Sequence, residues 1–316
     1  MSVQPSIGPR KLGKRSIWKR IWEYRWIYAM LVPATIFFII FRYVPVYGIQ
    51  LAFKNYKLAG IAASEWNDFA HFIRMFSDKD SIRAVTNTLA ISFMRIIVGF
   101  PFPIILALMI NEMKARRYKR LLQTVYTFPH FLSWVLLAGI MLNLFGSTGM
   151  VRKIVEIFNE QAAADWNLLY NGDAYRWLLV FSDMWKEAGW GTIIYLAAIA
   201  SIDQSLYEAA DIDGCSRLQK MWNIIIPGIV GMIAIQFVLR VGFIMEGGFD
   251  QVFNTYSPPV YGKGDIIDTY IYRLTFERGA DFGFTTAVGL FKNVINLILL
   301  LVANSVTRAL GQKTLW

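Results

Sequence analysis

Cysteine is nearly absent: Cys215 is the one residue of its kind among 316. No intrachain disulfide can form. Histidine is almost as scarce, and His71 and His130 stand far apart, so no Cys/His cluster has the spacing of a zinc site. Each reads as a satisfied polar or interfacial residue. Charge is the third scarcity, at 17% of residues against about 25% in a soluble domain. With 56% hydrophobic residues, that balance excludes a soluble globular protein and an intrinsically disordered one. Also missing are the phosphate-cradling P-loop pattern, the His-Glu-x-x-His metalloprotease pattern and the Gly-x-Ser-x-Gly elbow. The chain is therefore expected to be non-catalytic, with no metal and no cofactor of its own. Any ATP it depends on would be bound by another chain.

What is present is apolar sequence in long runs. A spanning helix takes about 20 mainly apolar residues. Six segments qualify: 26–48, 88–110, 128–146, 177–200, 224–245 and 284–306. The expected fold is an all-α membrane protein of six transmembrane helices, with a basic tail at 1–25, a six-helix domain at 26–306 and a short tail at 307–316. Pro33, Pro45 and Pro129 lie near segment ends, where proline is tolerated. The first segment follows a basic leader but is too long for a signal peptide, and no small-x-small cleavage site follows it. It reads as an uncleaved span.

Positive charge sets the orientation. With the N-terminus inside, the inner segments 1–25, 111–121, 201–223 and 307–316 carry 16 Lys+Arg in 69 residues, and the outer loops 49–87, 147–176 and 246–283 carry 11 in 107. Both termini are thus expected in the cytoplasm. The formal net charge of +10 is accounted for by topology and contact with anionic membrane lipid, so no nucleic-acid partner is implied. The outer loops are long enough to dock an external partner.

The inner loop 201–223 carries the most specific pattern. Ser205 followed by Glu208 has capping-box spacing and predicts the start of a short helix. Leu206, Ala209 and Ala210 would share a side of it, Gly214 would break it, and a second helix would run from near Ser216 into the fifth span, past Pro227. Two small alanines on an exposed face would let another protein approach closely, which suits a coupling element.

Ionisable groups inside spans are costly and point to function. They are Arg95, Asp183, Lys186, Glu187, Arg240 and Lys292. Asp183, Lys186 and Glu187 share a helix face by spacing; they would form an internal ion pair or line a path. Lys292, Asn293 and Asn296 would make a polar stripe on the last span. Trp185 and Trp190 could stack on a sugar, although most Trp in a membrane protein belongs to interfacial belts.

The run Glu208-Ala209-Ala210, three residues, Gly214, nine residues, Ile224-x-x-Pro227 resembles the EAA signature of permease subunits of bacterial ABC importers, with Ile226 where Leu is usual. Further segments resemble the carbohydrate-uptake branch that imports oligosaccharides such as those of alginate and aldouronate. They include Tyr43 to Lys54, Asn87-Thr-Leu, Phe100 to Leu108, Phe128 to Trp134, Trp185 to Gly191, Ile267 to Arg273, Ala287 to Lys292 and Leu315-Trp316.

The resemblance implies a type I ABC importer fold in the bacterial inner membrane. It also implies a second homologous permease subunit, two cytoplasmic ATPase subunits that hold ATP and Mg, an external solute-binding protein and an oligosaccharide substrate. Glu208, Ala209, Ala210, Asp213, Gly214, Ile224 and Pro227 would form the ATPase-coupling interface. Asp183, Trp185, Lys186, Glu187, Arg240, Lys292, Asn293 and Asn296 would belong to the translocation path. The excess of Arg and Lys among these buried charges is compatible with an acidic sugar. Glu208 has a plainer reading as the cap partner of Ser205. The rival functions are a secondary transporter, which predicts repeats and broken mid-membrane helices, and a membrane-embedded glycan- or lipid-modifying enzyme. The enzyme predicts an acidic metal cluster, for which Asp78 and Asp80 are the nearest approach.

Overall fold

In a computed structural model of the chain, residues 17–312 and 314 are described. Most of the basic tail at 1–25, and Lys313, Leu315 and Trp316 of the other tail, lie outside them. Among the described residues the only strands are a two-residue antiparallel pair, Lys54–Asn55 with Glu65–Trp66; every other element is helical. Among the described residues, five helical stretches are long and apolar enough to cross a membrane: Arg25–Phe53, Lys79–Asn111, Trp134–Phe158, Arg217–Gly242 and Phe282–Ala309.

Residues up to Gln50 form one unit and those from Leu51 a second. The first holds the short helix Ile17–Glu23 and most of α1, Arg25–Phe53. At the start of α1 the Arg25 guanidinium lies over the rings of Trp22 and Trp26, at 5.4 and 5.5 Å, as basic–aromatic anchors do at a membrane interface. Farther on, α1 passes through a π turn at Ile39–Tyr43 into the 3-10 turns of Val44–Phe53.

The second unit is built on α2, Lys79–Asn111. It is followed by α3, Arg116–Thr127; α4, Trp134–Phe145; α5, Met150–Phe158; and α6, Gly172–Ala200. Then come α7, Gln204–Ile212; α8, Arg217–Gly242; α9, Phe249–Thr255; α10, Ile267–Tyr272; and α11, Phe282–Ala309.

Helix α2 starts at Lys79, nine residues before the expected 88. Asp78 caps it by accepting from the Ser81 N–H at 2.9 Å. The Asp78 carboxylate also accepts from the Tyr270 hydroxyl at 2.6 Å. Burial would raise its pKa, but these hydrogen bonds to the charged form outweigh burial and hold it below the usual aspartate value. Asp80 pairs with Arg83. Both carboxylates that a surface metal site would have needed are thus engaged in the fold, and among the described residues no group of three His, Cys, Asp or Glu could hold a metal ion.

The expected third span, 128–146, begins in the middle of a broken rod. α3 ends at Thr127, a 3-10 turn covers Phe128–Phe131, and α4 starts at Trp134 with Ser133 as its cap. Pro129 supplies no N–H. At about 1.5 Å per residue, the 12 residues of α4 are too short to cross alone; with α5 they make the 25-residue apolar stretch Trp134–Phe158. The expected fourth span lies within α6, which is 29 residues long and so long enough. Asp173, Arg176, Asp183, Lys186 and Glu187 keep it from being apolar.

Helix α6 is the central rod. It packs on the second half of α2, on α3 and on α8, while α8 also packs on α11. Small residues let the rods approach, which drives helix association where there is no water to expel. Their outer faces carry Leu, Ile, Phe and Trp at high exposure, as lipid requires.

The segment between α8 and α11 is tied to α2. Asn87 donates to the carbonyls of Gly262 and Asp265 and accepts from Arg176. The Thr88 hydroxyl accepts from the Ile267 N–H at 2.9 Å. Arg273 makes a bidentate pair with Asp265, at 2.7 and 2.5 Å, and both are buried. Burial would lower the Arg273 pKa; the carboxylate reverses that and raises it.

Candidate functional site: a charged cavity and a surface helix

A cavity of about 680 Å³ opens among α2, α6, α8, α9, α10 and α11, with the start of α4 at its edge. Its charged lining comprises Arg95, Asp183, Arg240, Glu246, Asp250, Asp268 and Lys292; Trp134, Phe243, Phe249, Tyr272 and Phe276 supply aromatic faces. A second cavity of about 470 Å³ shares Asp183 and Arg240 with it and adds Glu187, Trp190 and Gln236. This size and mixture suit a ligand site.

Asp183 joins the two cavities. It accepts from Arg240 at 3.1 Å and lies 3.8 Å from the Arg95 Nε. Its partners are therefore on other helices, and the pairing with Lys186 suggested by spacing does not form. Lys186 donates instead to the His130 carbonyl at 2.6 Å, across to the break between α3 and α4. Glu187 meets the His130 Nδ1 at 2.8 Å. Trp190 stacks on the His130 ring at 4.8 Å and 7°. A Cβ at Gly189 would collide with the Tyr126 carbonyl. The two segments Phe128 to Trp134 and Trp185 to Gly191 are thus one interlock: each supplies the other's partners.

Trp185 lies apart from both charged cavities, in an apolar cleft with Leu137, Met141 and Phe181. Lys292 donates to both oxygens of Asp268, at 2.7 and 2.9 Å. Asn296 is buried, and its Oδ1 accepts from the Met245 N–H at 3.0 Å, which ties α11 to the end of α8. Asn293 is exposed and lines neither cavity. The expected polar stripe therefore divides. Glu246, Asp250 and Asp268 were missed because 246–283 reads by hydropathy as an outer loop. Their acidity beside Tyr272 and Phe249 was the available signal.

At the other end of α8, the segment 201–223 folds as helix–glycine–helix. Its cap differs from the expected one. Asp203 accepts from the Ser205 N–H at 3.0 Å, so Ser205 lies inside α7 and forms no box with Glu208. That hydrogen bond lowers the Asp203 pKa. The capping box occurs one helix later, between Ser216 and Gln219.

Glu208 and Ala209 are exposed together with Leu206 and Ile212, whereas Ala210 is buried. Gly214, at φ +68°, turns the chain, and the Cys215 N–H returns to the Ala210 carbonyl at 2.9 Å. Asp211 pairs with Lys220 across this turn; Asp213 is exposed. Ile224 lies in the π turn Met221–Ile225, and Pro227 starts the regular helix that follows.

The protein family described as the binding-protein-dependent transport system inner membrane component matches residues 99–314. The chain belongs to this family. This inner-membrane component is 36% identical over 319 residues to the polygalacturonan/rhamnogalacturonan transport system permease protein YteP of Bacillus subtilis (strain 168), covering 100% of this chain and 97% of that one. It is 38% identical over 295 residues to Protein LplB of the same organism, covering 92% and 91%.

Two of the solved structures that match it are bacterial ABC transporters for alginate. One is a bacterial ABC transporter involved in the import of the acidic polysaccharide alginate, with TM-score 0.84, 40% identity and 93% and 99% of the two chains covered. The other is a bacterial alginate ABC transporter in complex with an alginate pentasaccharide-bound periplasmic protein, with TM-score 0.84, 38% identity and 95% and 100% covered. The component thus has the type I ABC permease fold.

Proposed function

We propose that this component is one of two permease subunits of an ATP-driven oligosaccharide importer in the bacterial inner membrane. It spans the bilayer six times, with α6 as the polar fourth span, the broken rod α3–α4 as the third and both termini in the cytoplasm. The charge asymmetry of its loops supports that orientation. The second permease completes the pathway, two ATPase subunits bind ATP and Mg on the cytoplasmic side, and an external solute-binding protein delivers the sugar.

One observation carries the mechanism. The helices that flank α7, namely α6 and α8, meet through the Asp183–Arg240 pair in the cavity. Arg240 lies 13 residues beyond Pro227, or about 20 Å along the helix. A displacement of α7 is therefore carried by two rods to the cavity wall. In this reading Glu208, Ala209, Ala210, Asp213 and Gly214 form the contact with the ATPase, and Ile224 and Pro227 join it to α8. ATP-driven closure of the ATPases moves α7 and switches the cavity between its outward and inward openings, a two-state rigid-body change. The sugar class follows the transport named for YteP and described for the alginate transporters.

The test is Glu208→Lys in the complex reconstituted into vesicles. The variant should co-purify with its partners yet lose at least about nine-tenths of ATP-driven sugar uptake, as expected where a buried charge contact at an interface is reversed. Normal uptake would remove Glu208 from the coupling surface. Purification of the chain alone after gentle extraction, without permease or ATPase partners, would point to a secondary transporter or an enzyme.

A further inference from the structure

Two guanidinium groups share one carboxylate where the cavities meet: Arg95 of α2 and Arg240 of α8 both face Asp183 of α6. Arg95 is buried and anchored. It donates to the Gly247 carbonyl at 2.9 Å and to the Gln251 side chain, and Gln251 is fixed in turn by donating to the Leu179 carbonyl and the Ser182 hydroxyl. These partners are neutral, so they place Arg95 without cancelling its charge. Its Nε–H has no hydrogen-bond partner and lies 3.8 Å from Asp183.

Arg240 is held more loosely. Its side chain is 40% exposed, against 15% for Asp183, and it donates to Asp183 through one terminal nitrogen at 3.1 Å. The rest of its five-donor fork has no partner among the described residues. The trio therefore carries one positive charge in excess. Lys292 is engaged by Asp268, and Glu187 by His130. Glu246 and Asp250 line the larger cavity and not the second, so a ligand carboxylate fits Arg240 best from the second-cavity side.

Resting on the importer reading above, we infer that Asp183 stands in for a substrate carboxylate: a uronate takes Arg240 from it, and Asp183 closes onto the orphan Nε–H of Arg95. The fork of Arg240 matches a carboxylate in bidentate fashion. Breaking a buried ion pair is costly when one charge is left stranded; here Asp183 is not stranded, because Arg95 is already beside it. Gln236 lies one helical turn before Arg240 on the same face of α8. It lines the second cavity together with Trp190, and the two suit the hydroxyls and the ring of the same sugar unit. A neutral saccharide has no group that can displace Asp183. The exchange also moves the tie of α6 from α8 to α2.

The experiment uses the whole complex, with its own partner subunits and one binding protein throughout, in proteoliposomes. The probes are fluorescently labelled oligouronates and neutral oligosaccharides matched in length. The readout is the concentration that gives half-maximal ATP-dependent accumulation. Wild type should accumulate the oligouronates. Arg240→Gln should raise their half-maximal concentration at least about tenfold. Asp183→Asn, which removes the internal competitor, should lower it by about threefold or more.

Opposite shifts from the two halves of one ion pair are the signature, since a pair that only ties helices together would weaken uptake whichever half is lost. Shifts in the same direction, or none, overturn the inference and leave the importer reading intact. So does wild-type accumulation of neutral members alone. If Arg240→Gln does not co-purify with its partners, Arg240→Lys takes its place: it keeps the charge, loses the fork and should raise the oligouronate concentration by a smaller factor, about threefold. Accumulation of no saccharide at all by the intact complex overturns the importer reading and this inference with it.

Discussion

Gly189 illustrates what single residues do in this fold. Its missing side chain lets the backbone of α6 touch the carbonyl of Tyr126, just before the break between α3 and α4. Lys186, Glu187 and Trp190 then hold His130 from three sides. Gly189→Ala would have to push α3 away, and overpacking of this kind costs roughly 1–3 kcal/mol. Gly191→Ala is the control: its Cβ would meet only the Pro103 side chain, at 3.1 Å. Thermal unfolding of the purified complex should show a clear loss for the first and a small one for the second; equal losses would dismiss the close contact. The importance of 185–191 was legible in the sequence through its intramembrane charges. Its partners were not, because spacing along a helix pairs residues on one face and is blind to a neighbouring helix. For the same reason Asp183 was grouped with Lys186, when its partner Arg240 lies 57 positions away.

For single elements, the helix–glycine–helix of 201–223 was read almost whole from Gly214, Pro227 and the alanines. Its cap was assigned two residues too late. Asp203 and Ser205 are both good caps, and only the folded turn decides which N–H groups are free. The Asp203 carboxylate has a lowered pKa in the fold, so its contribution is fully present above the unfolded value near 4 and fades as pH falls through the folded value. From about pH 5 to 8 the cap should therefore be constant. Asp203→Ala should speed hydrogen exchange at the first amides of α7 equally across that range, and Asp203→Asn, which can still accept, should restore slow exchange. A difference that grows between pH 5 and 8 would mean that another group titrates there. Hydropathy located α1, α2, α8 and α11 well because their outer faces meet lipid. It was weakest for α3–α4, where a proline breaks the rod, and for the segment between α8 and α11, whose folded-in helices carry Asp268 and Tyr272.

For the whole molecule, six crossings follow from the five apolar stretches only if α6 is counted as a span despite its charges, two of which, Asp183 and Glu187, line the cavities. The lone cysteine offers a direct check. Cys215 is partly exposed, next to Gly214, on the surface that the proposed topology places in the cytoplasm. A membrane-impermeant maleimide should label it in inside-out vesicles and leave it unlabelled in intact right-side-out ones. The reverse pattern would invert the orientation; labelling from both sides would show a solvent path past α7.

The π turns carry a consequence of a different kind. Three of them, Ile39–Tyr43, Arg95–Gly99 and Met221–Ile225, each contain the residue four positions before a proline, namely Pro45, Pro101 and Pro227. That is the carbonyl a proline leaves without its N–H, and the wider turn gives it room. A π turn is a helix holding one surplus residue. Removing one residue there leaves both flanks in phase, whereas the same deletion elsewhere swings everything beyond it by about 100°. These helices are therefore tolerant of length change at three points and intolerant between them, and a one-residue gap between two such permeases should fall beside a proline.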